Sequence, residues 1–212
     1  MKVLANDGIS QSGIEALEEA GFEVIVTKVA QEQLANFLVE ENIDVLLVRS
    51  ATQVRKDLID SCPNLKIIGR GGVGMDNIDV DYARNKGLFV INTPASSSGS
   101  VAELVFANLF SGVRYLHDAN RNMPLSGDTK FKDLKKNYAG GTELRGKTLG
   151  LIGMGKIGQE VARIGLGIGM KVIGCNRKEP GHTDITIEFY DGKSINIPVE
   201  TKSIEEIGRA HV

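Results

Sequence analysis

The stretch that most constrains this chain is Lys147-Thr148-Leu149-Gly150-Leu151-Ile152-Gly153-Met154-Gly155-Lys156-Ile157-Gly158. Leu149, Leu151 and Ile152 form the apolar run of a buried parallel strand. Gly153, Gly155 and Gly158 follow at the spacing G-x-G-x-x-G, and Ile157, Val161, Ile164 and Ile168 then recur on one helical face. Met170-Lys171-Val172-Ile173-Gly174-Cys175 supplies another strand and completes a βαβ unit. In such a unit one glycine permits the tight turn, one lets a pyrophosphate approach the main chain, and one lets helix and strand pack closely. The free N–H groups and positive dipole end of the helix face the phosphates. With strand, helix and strand in place, the motif reads as a dinucleotide cradle lined by Gly153, Gly155, Lys156, Ile157 and Gly158.

Upstream, strand-like and helix-like segments alternate. Strands are expected at 3–5, 23–27, 44–48, 65–69 and 88–91, and helices at 13–20, 31–41, 56–61 and 80–85. That alternation makes an α/β fold, a parallel sheet with helices on both faces. Ligands of such sheets bind outside the carboxyl ends of the strands. Those ends carry Asn6-Asp7, Arg49-Ser50, Arg70-Gly71-Gly72-Val73-Gly74 and Asn92-Thr93-Pro94. The glycines leave main-chain N–H groups open to a carboxylate or phosphate, and Arg49 adds a planar, bidentate donor. The expectation is an anion site built from Arg49, Ser50, Gly72, Val73, Gly74 and Asn92.

The net charge of −2 gives no global basic field for nucleic acid. Cys62 and Cys175 form no disulfide framework, which fits a reducing compartment. The N-terminal apolar run is too short for a signal peptide, and no stretch approaches membrane-spanning length, so a cytoplasmic location is expected. No metal site is expected. After a small polar connector at 96–99, Ser100 and Glu103 form a capping-box pattern for a helix over 101–116. This helix is apolar nearly all round, so it should be buried between domains or against a second subunit. The lysines at 130, 132, 135 and 136 read as a solvated surface. Alternating apolar residues at 185–190 and 194–199 around Asp191-Gly192-Lys193 predict a hairpin, a decoration on the nucleotide fold.

Taken in order, Val48-Arg49-Ser50-Ala51-Thr52, Gly69 to Asn77, Val90-Ile91-Asn92-Thr93-Pro94, Ser100 to Leu104, Gly141 to Gly150 and the glycine fingerprint resemble the D-isomer-specific 2-hydroxyacid dehydrogenase family, with the D-3-phosphoglycerate dehydrogenases as the nearest branch. The resemblance implies two doubly wound parallel-sheet domains. These are a flavodoxin-like substrate domain over 1–95 and a Rossmann NAD(P)-binding domain over 96–206, with the active site between them. It implies hydride transfer between NAD or NADP and a D-2-hydroxy acid, foremost 3-phosphoglycerate to 3-phosphohydroxypyruvate in serine biosynthesis. Glyoxylate/hydroxypyruvate or D-lactate reduction, or a non-catalytic dinucleotide-binding regulator, are the alternatives. It further implies that the Gly72–Gly74 main chain holds the 2-oxo acid carboxylate, that Val73 also meets the cofactor, and that the 101–116 helix builds a homodimer.

The chain departs from that family twice. Where NAD-using relatives carry an acidic residue, at the end of the strand after the fingerprint helix, stands Asn176, followed by Arg177 and Lys178; a 2′-phosphate suits such a place. The family's catalytic arginine and its glutamate–histidine pair lie later than this chain reaches, and neither His117 nor His182 is placed to reach a reacting hydroxyl. No catalytic residue is therefore assigned, and the chain as it stands is expected to be inactive. Ser203 to Glu206 begins a capped helix, whereas residues 207–212 read as the in-frame translation of a short-read sequencing adapter. A truncated chain with a non-native tail is the expectation.

Overall fold

A computed structural model describes residues 1–176 and 181–208. The chain divides into two compact units, Met1–Ser97 and a second from Ser98 onward. In the first, apolar runs become strands and amphipathic runs helices: β1 (Lys2–Ala5), α1 (Gln11–Glu19), β2 (Glu23–Ile25), α2 (Gln31–Glu40), β3 (Val45–Val48), α3 (Lys56–Ser61), β4 (Ile67–Arg70), α4 (Val80–Asn85) and β5 (Phe89–Asn92). All pairs are parallel, in the order β2-β1-β3-β4-β5. The Ser10 hydroxyl accepts from the Gly13 N–H to start α1, and Gly21, at φ +83°, ends its turn.

The strand order sets the layers. The step from β1 to β2 runs opposite to the steps β3→β4→β5, so right-handed crossovers send α1 to one face and α2, α3 and α4 to the other. The second face is filled: Leu4, Leu46, Ile68 and Val90 pack with Leu34, Leu38, Leu58 and Ala83. The first is covered by α1 alone, and Phe89 and Ile91 on β5 remain 71% and 56% exposed. The order reverses between β1 and β3, so Asp7 and Arg49 flank the crevice where open α/β sheets bind ligands.

The second unit contains α5 (Ser98–Val113), α6 (Leu116–Tyr138), β6 (Thr148–Ile152), α7 (Lys156–Gly167), β7 (Lys171–Cys175), β8 (Gly181–Glu188), β9 (Ser194–Lys202) and α8 (Ile204–Ile207). Its sheet order is β6-β7-β9-β8, with β6, β7 and β9 parallel and β8 antiparallel to β9. The Ser203–Glu206 capping box forms as expected. The predicted hairpin is present but is no decoration. Its strands are longer, β9 joins β7 through Gly174↔Thr201 and Cys175↔Lys202, and Ile185 and Val199 pack with Met154, Ala162 and Val172. The inward half of the alternating pattern thus completes the core under the glycine loop.

The helix expected over 101–116 has different bounds. It begins at Ser98, so Ser100 lies inside rather than capping it, and Tyr115 at φ +54° ends the run before α6. Burial is one-sided: Ala102 and Phe106 are enclosed with Leu144, Val161 and Met170, while Leu104 is 61% exposed. Helix α6 carries the lysine cluster and buries no residue, which matches a solvated surface.

Candidate functional site

At the carboxyl edge of the first sheet, side chains hold the loops. The Asp7 carboxylate accepts from the Arg49 N–H at 2.7 Å, the Thr52 N–H at 3.2 Å and the Thr52 hydroxyl at 2.8 Å. Burial pushes the Asp7 pKa up, but these hydrogen bonds outweigh it and hold the carboxyl below its ordinary value. Asn6 accepts from the Val29 N–H at 2.8 Å and donates to Thr52 Oγ1 at 2.8 Å. From the other side, Asn77 donates to the carbonyls of Arg49 at 2.9 Å and Thr52 at 2.7 Å. Asn6 and Asp7, at the converging strand ends, are therefore scaffold for the loop that presents Arg49.

The glycine loop after β4 is pinned in the same manner. Gly71 N–H donates to the Val48 carbonyl at 2.8 Å, Thr93 N–H to the Gly72 carbonyl at 3.1 Å, and the Asn92 amide to the Val73 carbonyl at 2.7 Å. The N–H groups of Val73 and Gly74 make no hydrogen bond among the described residues. They remain available to an anion, and Asn92, which lines the neighbouring cleft, holds the loop through one of its two amide N–H groups.

A cleft of about 830 Å³ opens beside this loop, lined by Arg49, Arg70, Gly71, Ile91, Asn92 and Thr93 among others. Ser50 lies outside it, in adjoining hollows that it shares with Arg49 on one side and Arg70 on the other. Arg70 was absent from the expected site. Its guanidinium lies across Gly72, where a Cβ would fall 2.0 Å from Nη1, and its Nε is buried with no partner. Among the described residues neither Arg49 nor Arg70 makes an ion pair. Two guanidinium groups thus line one crevice, which the Asp7 carboxylate also lines, an arrangement that offers planar donors to an anion. The signal was present as an arginine closing a strand directly before a glycine loop.

In the second unit, main chain does the corresponding work. Gly153, at φ +102°, donates its N–H to the Cys175 carbonyl at 2.8 Å. A Cβ on Gly158 would lie 2.0 Å from the Gly153 carbonyl oxygen, so only glycine lets α7 start this close to β6. A Cβ on Gly155 would meet nothing within 4 Å; the space beside it is open. The N–H groups of Gly155, Lys156 and Ile157 have no partner among the described residues, and no side chain caps α7. This cradle fits a pyrophosphate, with donors, helix dipole and room on the same side. Asn176 sits at its margin and accepts from the Met154 N–H at 3.0 Å. Arg177, expected to join the cofactor site, lies outside the described residues.

Residues 3–204 match the profile of the D-isomer specific 2-hydroxyacid dehydrogenase catalytic domain. The chain belongs to that family. A hydroxypyruvate reductase from Thermotoga maritima is 41% identical over 191 residues, covering 90% of this chain and 60% of that protein. A D-3-phosphoglycerate dehydrogenase from Methanocaldococcus jannaschii is 35% identical over 224 residues, covering 100% of this chain and 41% of that protein. The solved structure of an acyclic imino acid reductase in complex with NADPH and D-Arg superposes with a TM-score of 0.71 at 30% identity, covering 98% of this chain and 62% of that one. The chain therefore spans from 41% to 60% of the length of these curated relatives.

Among the described residues two histidines are present, both in the second unit. His117 is exposed near the start of α6 and lies 3.4 Å from an Arg121 nitrogen. His182 is exposed on β8. Among the described residues no cluster of His, Cys, Asp or Glu could hold a metal ion, and no helix is long and apolar enough to cross a membrane.

Proposed function

We propose that the intact protein moves a hydride between a nicotinamide dinucleotide and a D-2-hydroxy acid, with 3-phosphoglycerate and 3-phosphohydroxypyruvate as the pair it interconverts. Residues 1–95 form the substrate-binding part and 96–206 belong to the NAD(P)-binding part. The observation that carries the substrate assignment is that Arg49 and Arg70, neither in an ion pair among the described residues, line one cleft with Gly71, the start of the loop whose Val73 and Gly74 N–H groups are open. The substrate has two anionic ends, and the site has two kinds of anion donor. Main-chain N–H groups at 73 and 74 take the carboxylate, as at an oxyanion-binding nest. Two planar guanidinium groups take the phosphate, whose oxygens match their fork geometry. Ser50, between the hollows that contain the arginines, adds a hydroxyl.

When bound on the Gly153–Gly158 loop, the dinucleotide supplies the hydride acceptor or donor. The chain's own residues bind and orient: Gly155, Lys156 and Ile157 N–H groups hold the pyrophosphate, and the Val73 N–H is open to the substrate. The proton on the substrate hydroxyl is handled by the family's arginine and glutamate–histidine pair, none of which is assigned here. The exposed apolar residues Leu104, Val105 and Phe110 on α5 support a homodimer built on that helix. Cys62 and Cys175 are buried free thiols, which suits a cytoplasmic protein.

Hydroxypyruvate is the second reading, favoured by the Thermotoga maritima reductase at 41% identity. It has one anionic group and would leave an arginine without a partner. Steady-state reduction of 3-phosphohydroxypyruvate and hydroxypyruvate by the intact protein separates the two. The phosphorylated substrate should show a kcat/KM at least about 10-fold higher, since a charge-assisted hydrogen bond contributes roughly 1.5–3 kcal/mol. A higher value for hydroxypyruvate would replace the first reading by the second. Binding of dinucleotide with turnover of neither would favour a non-catalytic regulator.

A further inference from the structure

We propose that Gln159 is a positioning residue for the dinucleotide site: by holding the Met154 and Gly155 carbonyls it aims the N–H groups of Gly155 and Lys156 at the pyrophosphate. The inference rests on the dinucleotide reading above and adds what keeps the donors of that cradle in line. Gln159 lies in the first turns of α7, half-buried, and meets the loop twice. Its side-chain amide donates to the Met154 carbonyl at 3.1 Å, and its main-chain N–H donates to the Gly155 carbonyl at 2.9 Å. A carbonyl only accepts, so the amide nitrogen is the atom that faces Met154. In a trans peptide unit the C=O and N–H groups point in opposite directions. Pinning the Met154 carbonyl therefore turns the Gly155 N–H away from Gln159, and pinning the Gly155 carbonyl does the same for the Lys156 N–H. Both N–H groups belong to exposed residues and have no partner among the described residues.

Other contacts set the loop as far as Met154 and leave the Met154–Gly155 unit free to turn. Gly153 N–H donates to the Cys175 carbonyl at 2.8 Å, and Met154 N–H to Asn176 Oδ1 at 3.0 Å. The Met154 side chain is buried in room that Gly174 leaves for it, since a Cβ there would lie 2.5 Å from Met154 Cγ. Beyond the Met154 Cα, a peptide unit can turn over by opposite rotations of the ψ before it and the φ after it. A glycine on the far side removes the steric bar to that rotation. Gly155 is that glycine, and a Cβ on it would meet nothing within 4 Å, so packing does not hold the unit. The Gln159 amide supplies the restraint. Turned over, the unit would present a carbonyl oxygen to the pyrophosphate oxygens, and attraction would become repulsion.

Calorimetric titration of the intact protein with ADP-ribose, which carries the pyrophosphate, and displacement titration with adenosine, which lacks it, read the proposal without turnover. Gln159→Met keeps the length and helix preference of the side chain and removes its donor. ADP-ribose should bind this variant about 10-fold more weakly, the low end for one charge-assisted hydrogen bond. Adenosine affinity should change by less than about 2-fold, whereas a role confined to stability would lower both alike. Gln159→Lys, which brings back an N–H donor, should recover most of the loss. An unchanged ratio of ADP-ribose to adenosine affinity in a folded Gln159→Met variant overturns the proposal alone, as does an equal loss in the Met and Lys variants. In the parent, the Gly155 amide proton should move downfield when ADP-ribose binds; a resonance that stays in place overturns the proposal whether or not the variants fold. Failure of the parent to bind ADP-ribose removes the cofactor reading together with the proposal.

Discussion

The two units offer an anion the same thing, unpaired N–H groups at the carboxyl ends of parallel strands, but they hold those groups in place differently. In the first, polar side chains staple the loops: Asp7 to Arg49 and Thr52, Asn77 to the same segment, Asn92 to Val73. In the second, the absence of side chains does it, because Gly158 lets α7 begin against the Gly153 carbonyl. The difference has a consequence for tolerance. A stapled loop loses hydrogen bonds one at a time, whereas a loop built on close main-chain approach has nowhere to put an added atom.

The largest effect should come from Gly158→Ala. The new Cβ would need the space 2.0 Å from a backbone oxygen, so helix or loop must move. Dinucleotide binding should fall by at least about 100-fold, as measured by calorimetry. The matching change in the first unit, Gly72→Ala, meets the Arg70 side chain rather than main chain, at a φ of +157° that side-chain-bearing residues rarely adopt. It should lower affinity for phosphorylated substrate and cost less stability than Gly158→Ala. Equal effects of the two substitutions on stability would erase the contrast.

Next in size is Ile185→Ala. Ile185 is 1% exposed and packs with Met154 and Val199, so truncation should cost about 2–5 kcal/mol in denaturant unfolding. A cost near zero would return the hairpin to the status of a decoration. Arg70→Met should lower kcat/KM for 3-phosphohydroxypyruvate by about 10- to 100-fold, the worth of one charged hydrogen-bonding group, and leave hydroxypyruvate nearly unchanged.

The smallest effect concerns pH. The Asp7 carboxyl is held below its ordinary value, so it stabilises the fold above the unfolded-state pKa of about 3.9 and loses that contribution as pH falls through its lower folded value. Asp7→Asn should therefore be less stable than the parent at neutral pH, with the gap closing below about pH 4. A gap that stays constant through the acid range would show that Asp7 does not act through its charge.

Much of this was legible before any coordinates. Strand runs such as Val45–Val48 and the βαβ context of Gly153–Gly158 depend on local periodicity and turn chemistry, and both appear where the pattern puts them. Arg49, Gly72 and Asn92 followed from the rule that strand ends converge. Arg70 was missed because its role depends on where the last side chain of a strand turns, which spacing does not encode. The hairpin was misjudged because its link to β7 is a pairing only two residues long, at Gly174 and Cys175. Helix α5 has apolar residues on all sides, and that pattern cannot tell which side this unit covers.

The arginine pair is the central claim, and one ratio tests it most directly: kcat/KM for 3-phosphohydroxypyruvate over hydroxypyruvate, in the intact protein and in Arg49→Met/Arg70→Met. The account predicts a preference of at least about 10-fold in the parent that falls to near unity in the double variant, with hydroxypyruvate turnover retained. A preference that survives loss of both guanidinium groups, or one that never existed, would contradict it.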